Sequence, residues 1–263
     1  MPTASAVGAR PEVAPSTESY PAVLRRLRDA QKPAGRGAPA YSIYVNRPVG
    51  RYIAAAAYRI GATPNQVTAA SALLPFTAIL LLALVPPSAA LGVGIAVLLA
   101  AGYAFDSADG QVARLRGGGS AAGEWLDHVV DAVKVVTLHV AVAVVAYRFL
   151  LPADLRGWLL VPLGFAVVAS VSFSVFLLND LLKAARRGTS TTAAIRGGST
   201  PLRSLLGLPT DYGLLIWVFV LLGAPTVFLV AYALLFAAQL GYLVLALPKW
   251  FRDISSLDQE QPR

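Results

Sequence analysis

Four aspartates, Asp106, Asp109, Asp127 and Asp131, fall within 26 residues, between two strongly apolar runs. Asp106 and Asp109 are three apart and Asp127 and Asp131 four apart, so each pair shares one face of a helix. Between the pairs runs "RLRGGGS", a turn centred near Gly117. The first pair lies 8 and 11 residues before that centre and the second 10 and 14 after it. Two antiparallel helices joined there bring both pairs to similar depth across one gap. Carboxylates so placed repel one another unless protonated or neutralised. Two divalent cations neutralise them through hard oxygen ligands, and cations held by acidic helices near a membrane surface suit a diphosphate. Gly110, Ala113, Gly117–Gly119 and Gly123 leave side-chain volume missing around the same gap, where a base and ribose can approach the backbone. The chemistry expected is a metal cradle for a nucleotide diphosphate.

The elements that must position these acids are apolar. Of the 263 residues 56% are hydrophobic, and the mean hydropathy is +0.62. That balance predicts an all-α integral membrane protein. Apolar runs at roughly 64–85, 88–113, 119–148, 157–183, 208–222 and 225–248, parted by Gly- and Pro-containing breaks, predict a six-transmembrane-helix bundle. With both termini cytoplasmic, all of the 22 Lys and Arg except Lys134, Arg148 and Arg156 lie on the inner side, together with the acidic site. The formal charge of +8 is therefore topological, with attraction to anionic membrane lipids, and calls for no nucleic acid. The absence of cysteine excludes disulfides and thiolate chemistry.

Residues 1–40, rich in Ala, Pro, Gly, Ser and Arg and without a signal-peptide core, are expected to be mostly disordered and cytoplasmic, with a short helix over Pro21–Gln31. Residues 41–250 form the membrane domain and 251–263 a polar cytoplasmic tail. The stretch "YSIYVNRPVGRYIAAAAYRIG", residues 41–61, suits an N-terminal interfacial amphipathic helix with Tyr rings at headgroup depth and Arg47 and Arg51 reaching outward. An ordinary cytosolic helix is the competing reading.

The order Asp106-x2-Asp109-Gly110-x2-Ala113-Arg114-x8-Gly123-x3-Asp127-x3-Asp131 resembles the signature of the CDP-alcohol phosphotransferases at each of its eight specified positions. The six spans, the interfacial segment and "TPNQVT" at the first span's start are similar to that family too. The resemblance implies transfer of a phosphoalcohol group from a CDP-alcohol, often CDP-diacylglycerol, to a second alcohol, with release of CMP, in phospholipid biosynthesis. It implies Asp106, Asp109 and Asp127 as metal ligands for Mg²⁺ or Mn²⁺, and Asp131 as general base that also touches metal. Gly110, Ala113, Arg114 and Gly123 would frame the nucleotide, and members of the family are commonly homodimers. Asn65 and Thr68 are read either as caps of the first span or, by the resemblance, as lining of the nucleotide pocket.

Residues that choose the acceptor are less sharply marked. Lys134 shares nearly the same face as Asp127 and Asp131 and, within a span, needs a partner: Asp131 or an acceptor's phosphate. His128 lies in "GEWLDHVVD", which resembles the version of the motif in choline and ethanolamine phosphotransferases. "YSIYVNRPVGR" resembles instead the segment of members that join CDP-inositol to inositol phosphate. The acceptor, a small alcohol or sugar alcohol with or without phosphate, stays open between these pointers, and a soluble CDP-alcohol competes with the lipid donor. Arg186, Arg196 and Arg203, between the fourth and fifth spans, are candidates for phosphate recognition and equally ordinary inner-side charges. His139, deep in an apolar stretch, reads as a core histidine. The reading from another class is an ion-coupled membrane transporter that uses the acids as a relay.

Overall fold

The computed structural model describes residues 16–30, 39–187 and 211–258. Every regular element among them is helical. Helix α1, Tyr20–Asp29, carries Pro21 in its first turn and buries Val23 and Leu27, one helical turn apart. The short helix expected at 21–31 within the N-terminal segment is α1. Helix α2, Arg47–Arg59, follows a wider π-type turn at Ser42–Asn46. Its small residues Gly50, Ala54, Ala55 and Ala57 are buried, while Tyr44, Val45, Val49, Tyr52 and Ile60 stand exposed along the segment.

Long apolar helices come next: α3, Pro64–Leu84, α4, Ala89–Leu115, and α5, Ala121–Val145, which runs on through a π-type turn to Leu150. A 3-10 turn at Ala153–Leu159 leads into α6, Leu160–Arg187. Helix α7, Tyr212–Val218, continues as a 3-10 turn to Gly223, and α8 spans Pro225–Ser255. Five of these helices are long and apolar enough to cross a bilayer, so the chain is an integral, multi-pass membrane protein. The run expected as a fifth span at 208–222 is described only over Tyr212–Gly223, 12 residues. At about 1.5 Å per residue that covers only some 18 Å, short of a hydrocarbon core about 30 Å thick. Helix α8 carries on to Ser255, into the segment expected as a polar tail at 251–263, and Leu257 beyond it is buried.

Local sequence explains the helix ends. Thr63 and Gln66 form a reciprocal capping box at the start of α3, so capping falls to this pair rather than to Asn65 or Thr68. Ser88 caps α4 and Ser120 caps α5. Between those two helices the chain reverses through Gly117 at φ +91° and Gly118 at φ +131°, a region that side chains disfavour.

The central core packs α3, α4 and α5 with α7 and α8, through Leu82, Ile95, Leu99, Val142, Ile216 and Phe228. Gly102 admits the ring of Pro75, whose Cδ lies 2.6 Å from where a Cβ on Gly102 would sit. A second cluster, Val23, Leu27, Ala54, Ala55, Val67, Ala108 and Val112, seats α1 and α2 on α3 and the last turns of α4. Leu73, Leu80, Leu84 and Leu245 are at least 60% exposed. Such surfaces are stable against lipid tails, provided that the backbone is hydrogen-bonded internally, as it is in these helices.

Candidate active site

The turn at Gly117 and Gly118 returns α5 alongside α4 and brings their acids together. One carboxylate oxygen from each of Asp106, Asp127 and Asp131 lies within 4.8 Å of the others. All three residues are partly buried, with the Asp106 and Asp131 side chains 22% and 25% exposed. Lys134 closes one edge of this group: its ammonium donates to Asp131 Oδ1 and lies 3.8 Å from Asp106 Oδ1. One cation against three acids leaves negative charge uncompensated, and three oxygen donors so spaced fit a hard divalent ion.

Asp109 stands apart from that trio. It is 8% exposed, and its Oδ2 accepts the Thr68 hydroxyl at 2.6 Å, tying α4 to α3. The expected set of four ligands is thus gathered as three, with the fourth acid anchored by Thr68 a turn nearer the α4–α5 connection. Asn65 is on the same side: its Oδ1 lies 3.1 Å from where a Cβ on Gly123 would be, so Gly123 is small where α3 and the start of α5 meet. Gly110 has open space, with only Arg114 Nη1 near, 3.7 Å from an added Cβ. Gly110, Ala113 and Arg114 follow Asp109 along the last turns of α4. Arg116 fixes the end of that helix, donating to Ala62 O at 3.2 and 2.7 Å from Nε and Nη2, with its guanidinium 5.1 Å from the Tyr58 ring centroid.

Other expected residues lie elsewhere. His128 Nε2 is 4.0 Å from Glu124 Oε1 and its ring 6.4 Å from Phe173, so it turns from the acidic trio toward α6. His139 is 3% exposed, stacks on Phe165 at 4.1 Å and shares a 2.5 Å hydrogen bond with Tyr232 Oη, as a core histidine does. Arg186 sits in the last turn of α6. Arg196 and Arg203 lie outside the described residues.

Tyr212 and Tyr103, beside the trio, escaped the sequence reading. The Lys134 ammonium is 5.9 Å from the centroid of the Tyr212 ring, whose edge contacts Tyr103 at 5.2 Å. Tyr103 in turn stacks on Tyr41 at 6.1 Å. Asp211, 2% exposed, anchors this aromatic wall by accepting from Tyr41 N at 2.8 Å and Gly213 N at 2.9 Å. "DYG" after a Thr is a legible helix start, but nothing in it tells that Tyr212 meets Lys134 from 78 positions away.

No curated protein matches the chain. A protein-family model described as CDP-alcohol phosphatidyltransferase matches residues 61–250. Those residues hold the acidic trio, Asp109 with Thr68, and both helices joined by the glycine turn. The match covers most of the chain, which therefore belongs to the CDP-alcohol phosphatidyltransferase family.

Proposed function

We propose that the protein transfers a phosphatidyl group from CDP-diacylglycerol to an alcohol acceptor, releasing CMP, at the cytoplasmic face of the membrane. Family membership makes it a membrane phosphotransferase of CDP-alcohols. The observation that carries the site assignment is the meeting of Asp106, Asp127 and Asp131 within 4.8 Å. These three residues would hold Mg²⁺ or Mn²⁺, with Asp109 as a neighbouring ligand for a second ion. A divalent ion bound there supplies charge stabilisation for the transferring phosphoryl and the CMP leaving group.

The chain's own residues do the remainder. Gly110 and Ala113 leave the last turns of α4 open to the nucleotide, and Asn65, packed on Gly123, and Arg114 border that space. Asp131 takes the proton from the acceptor hydroxyl as it attacks the β-phosphorus, which keeps the oxygen nucleophilic as the P–O bond forms. Thr68 holds Asp109 in place. Arg186, Arg196 and Arg203 are candidate contacts for an acceptor phosphate.

A lipid-linked donor is favoured by an apolar cavity of about 350 Å³ between α2, α4 and α7. Val45, Val49, Val97, Ala101 and Trp217 line it, and Tyr41 at its wall begins the aromatic stack that ends at the site. An alkyl chain entering from the bilayer meets matching apolar surface there. The arrangement is completed by a sixth crossing that includes α7 and by α2 lying in the interface, its exposed Tyr and Val side chains toward the lipid.

The test is CMP release by purified protein with Mg²⁺ and a panel of alcohol acceptors. CDP-diacylglycerol should support turnover and soluble CDP-alcohols should not. Turnover with CDP-inositol or a CDP-aminoalcohol alone would overturn the lipid assignment. Ion flux with no CMP from any donor would favour the transporter reading.

A further inference from the structure

We propose that Lys134 is a tethered counter-cation which a divalent metal must displace, and that the phenol oxygen of Tyr212 receives it. This rests on the metal-binding reading of the acidic trio. Lys134 is 8% exposed, lies in a span, and places its ammonium between Asp131 and Asp106, against the volume enclosed by the three carboxylates. A divalent ion drawing in the oxygens of Asp106 and Asp131 takes the acceptors that Lys134 now uses. The two cations would then stand a few ångströms apart in a partly dehydrated setting, where like charges repel strongly.

An ammonium forced off its carboxylates inside a membrane protein requires another partner. Tyr212 offers one. Its oxygen is buried and makes no hydrogen bond, one of four buried side-chain polar atoms among the described residues in that condition. Its ring already lies 5.9 Å from the ammonium. The four-carbon stem of lysine allows the short swing from carboxylate to phenol, and the phenol accepts from the ammonium through a lone pair. The receiving group is itself fixed: Tyr103 packs against the ring, and Asp211 ties the start of α7 to Tyr41. Two observations that have no common cause otherwise, a lysine inside an acidic site and an orphaned phenol next to it, become two ends of one movement.

Mn²⁺ binding to the full chain in detergent, followed by the electron paramagnetic resonance signal of the free ion, tests this without reference to turnover. Lys134→Met and Lys134→Gln should each tighten Mn²⁺ at least about tenfold by removing the competing charge. Lys134→Arg, whose planar fork grips carboxylates more firmly, should weaken Mn²⁺ several-fold and keeps the internal cation should the neutral variants not fold. Tyr212→Phe should weaken Mn²⁺ when Lys134 is present and have no effect beside Lys134→Met, a coupling that loss of packing would not produce. Equal or weaker Mn²⁺ binding by the neutral variants, equal or tighter binding by Lys134→Arg, or a Tyr212→Phe effect that is the same in both backgrounds, overturns the proposal. Wild-type protein that binds no Mn²⁺ would remove the metal reading of the trio itself, a separate failure.

Discussion

Thr68 and Asp109 are joined by one hydrogen bond between two helices; the carboxylate also accepts from the backbone N–H of Gly110 on its own helix, so Thr68 is what ties it to α3. Thr68→Val keeps the shape and removes the donor. A buried charged acceptor left without its partner costs about 1–3 kcal/mol, so kcat/KM should fall about tenfold or more, with Mg²⁺ demand rising alongside. Steady-state CMP release over a Mg²⁺ titration checks this, and an unchanged Mg²⁺ dependence would detach Thr68 from the site. The spacing of the acids was legible in the chain because helical geometry alone puts Asp127 and Asp131 on one face and the glycine turn returns them to Asp106. Thr68 stood out only as a cap or a pocket residue. Its bond to Asp109 depends on α3 packing against α4, a contact between residues 41 positions apart. Tyr212 was hidden for the same reason, since its partner Lys134 lies far away along the chain.

Helix ends decide whether the two acidic faces meet at all. Gly117 and Gly118 have positive φ, whereas Gly119 does not, and nothing lies within 4 Å of a Cβ added at any of the three. Conformation rather than crowding therefore sets the requirement. Gly118→Val should destabilise the protein by about 1–2 kcal/mol, while Gly119→Ala should fall within about 0.5 kcal/mol of wild type; thermal unfolding in detergent separates them. At Gly213 crowding rules instead, because a Cβ would sit 2.1 Å from the Tyr41 ring. Gly213→Ala should consequently lower thermal stability more than Gly119→Ala does, and equal effects would contradict the close approach of α7 to Tyr41. The boundaries of α3, α4 and α5 were readable from the Gly- and Pro-containing breaks around them, though not the caps Thr63, Ser88 and Ser120 that set them. The break between α7 and α8 was readable too, from "GAP", but the end of α8 was not, since an apolar stretch in a membrane protein continues as helix until backbone or packing stops it, and α8 runs on beyond Lys249 to Ser255.

For the whole molecule, the distribution of Lys and Arg supports the proposed placement of the acidic site on the inner side of the bilayer. The chain has no cysteine, so single cysteines report topology without prior substitution. In cells, Asp154→Cys should react with a membrane-impermeant maleimide added outside, and Gly119→Cys should react only after the membrane is opened. The reverse pattern would invert the protein and move the proposed transfer to the other leaflet. Hydropathy and charge made the class of protein evident, whereas the donor is argued from a cavity assembled by three helices distant in sequence.

The account depends on Asp106, Asp127 and Asp131 acting as one unit on the CDP-alcohol. Single-turnover CMP release from CDP-diacylglycerol, compared among Asp106→Asn, Asp127→Asn, Asp131→Asn and the Asp106→Asn/Asp131→Asn double variant, tests that most directly. Each single change should slow release by a factor on the order of 1,000 or more, and the double variant should be little slower than either parent, as for residues that share one function. Release at the wild-type rate by any one of the single variants would contradict it.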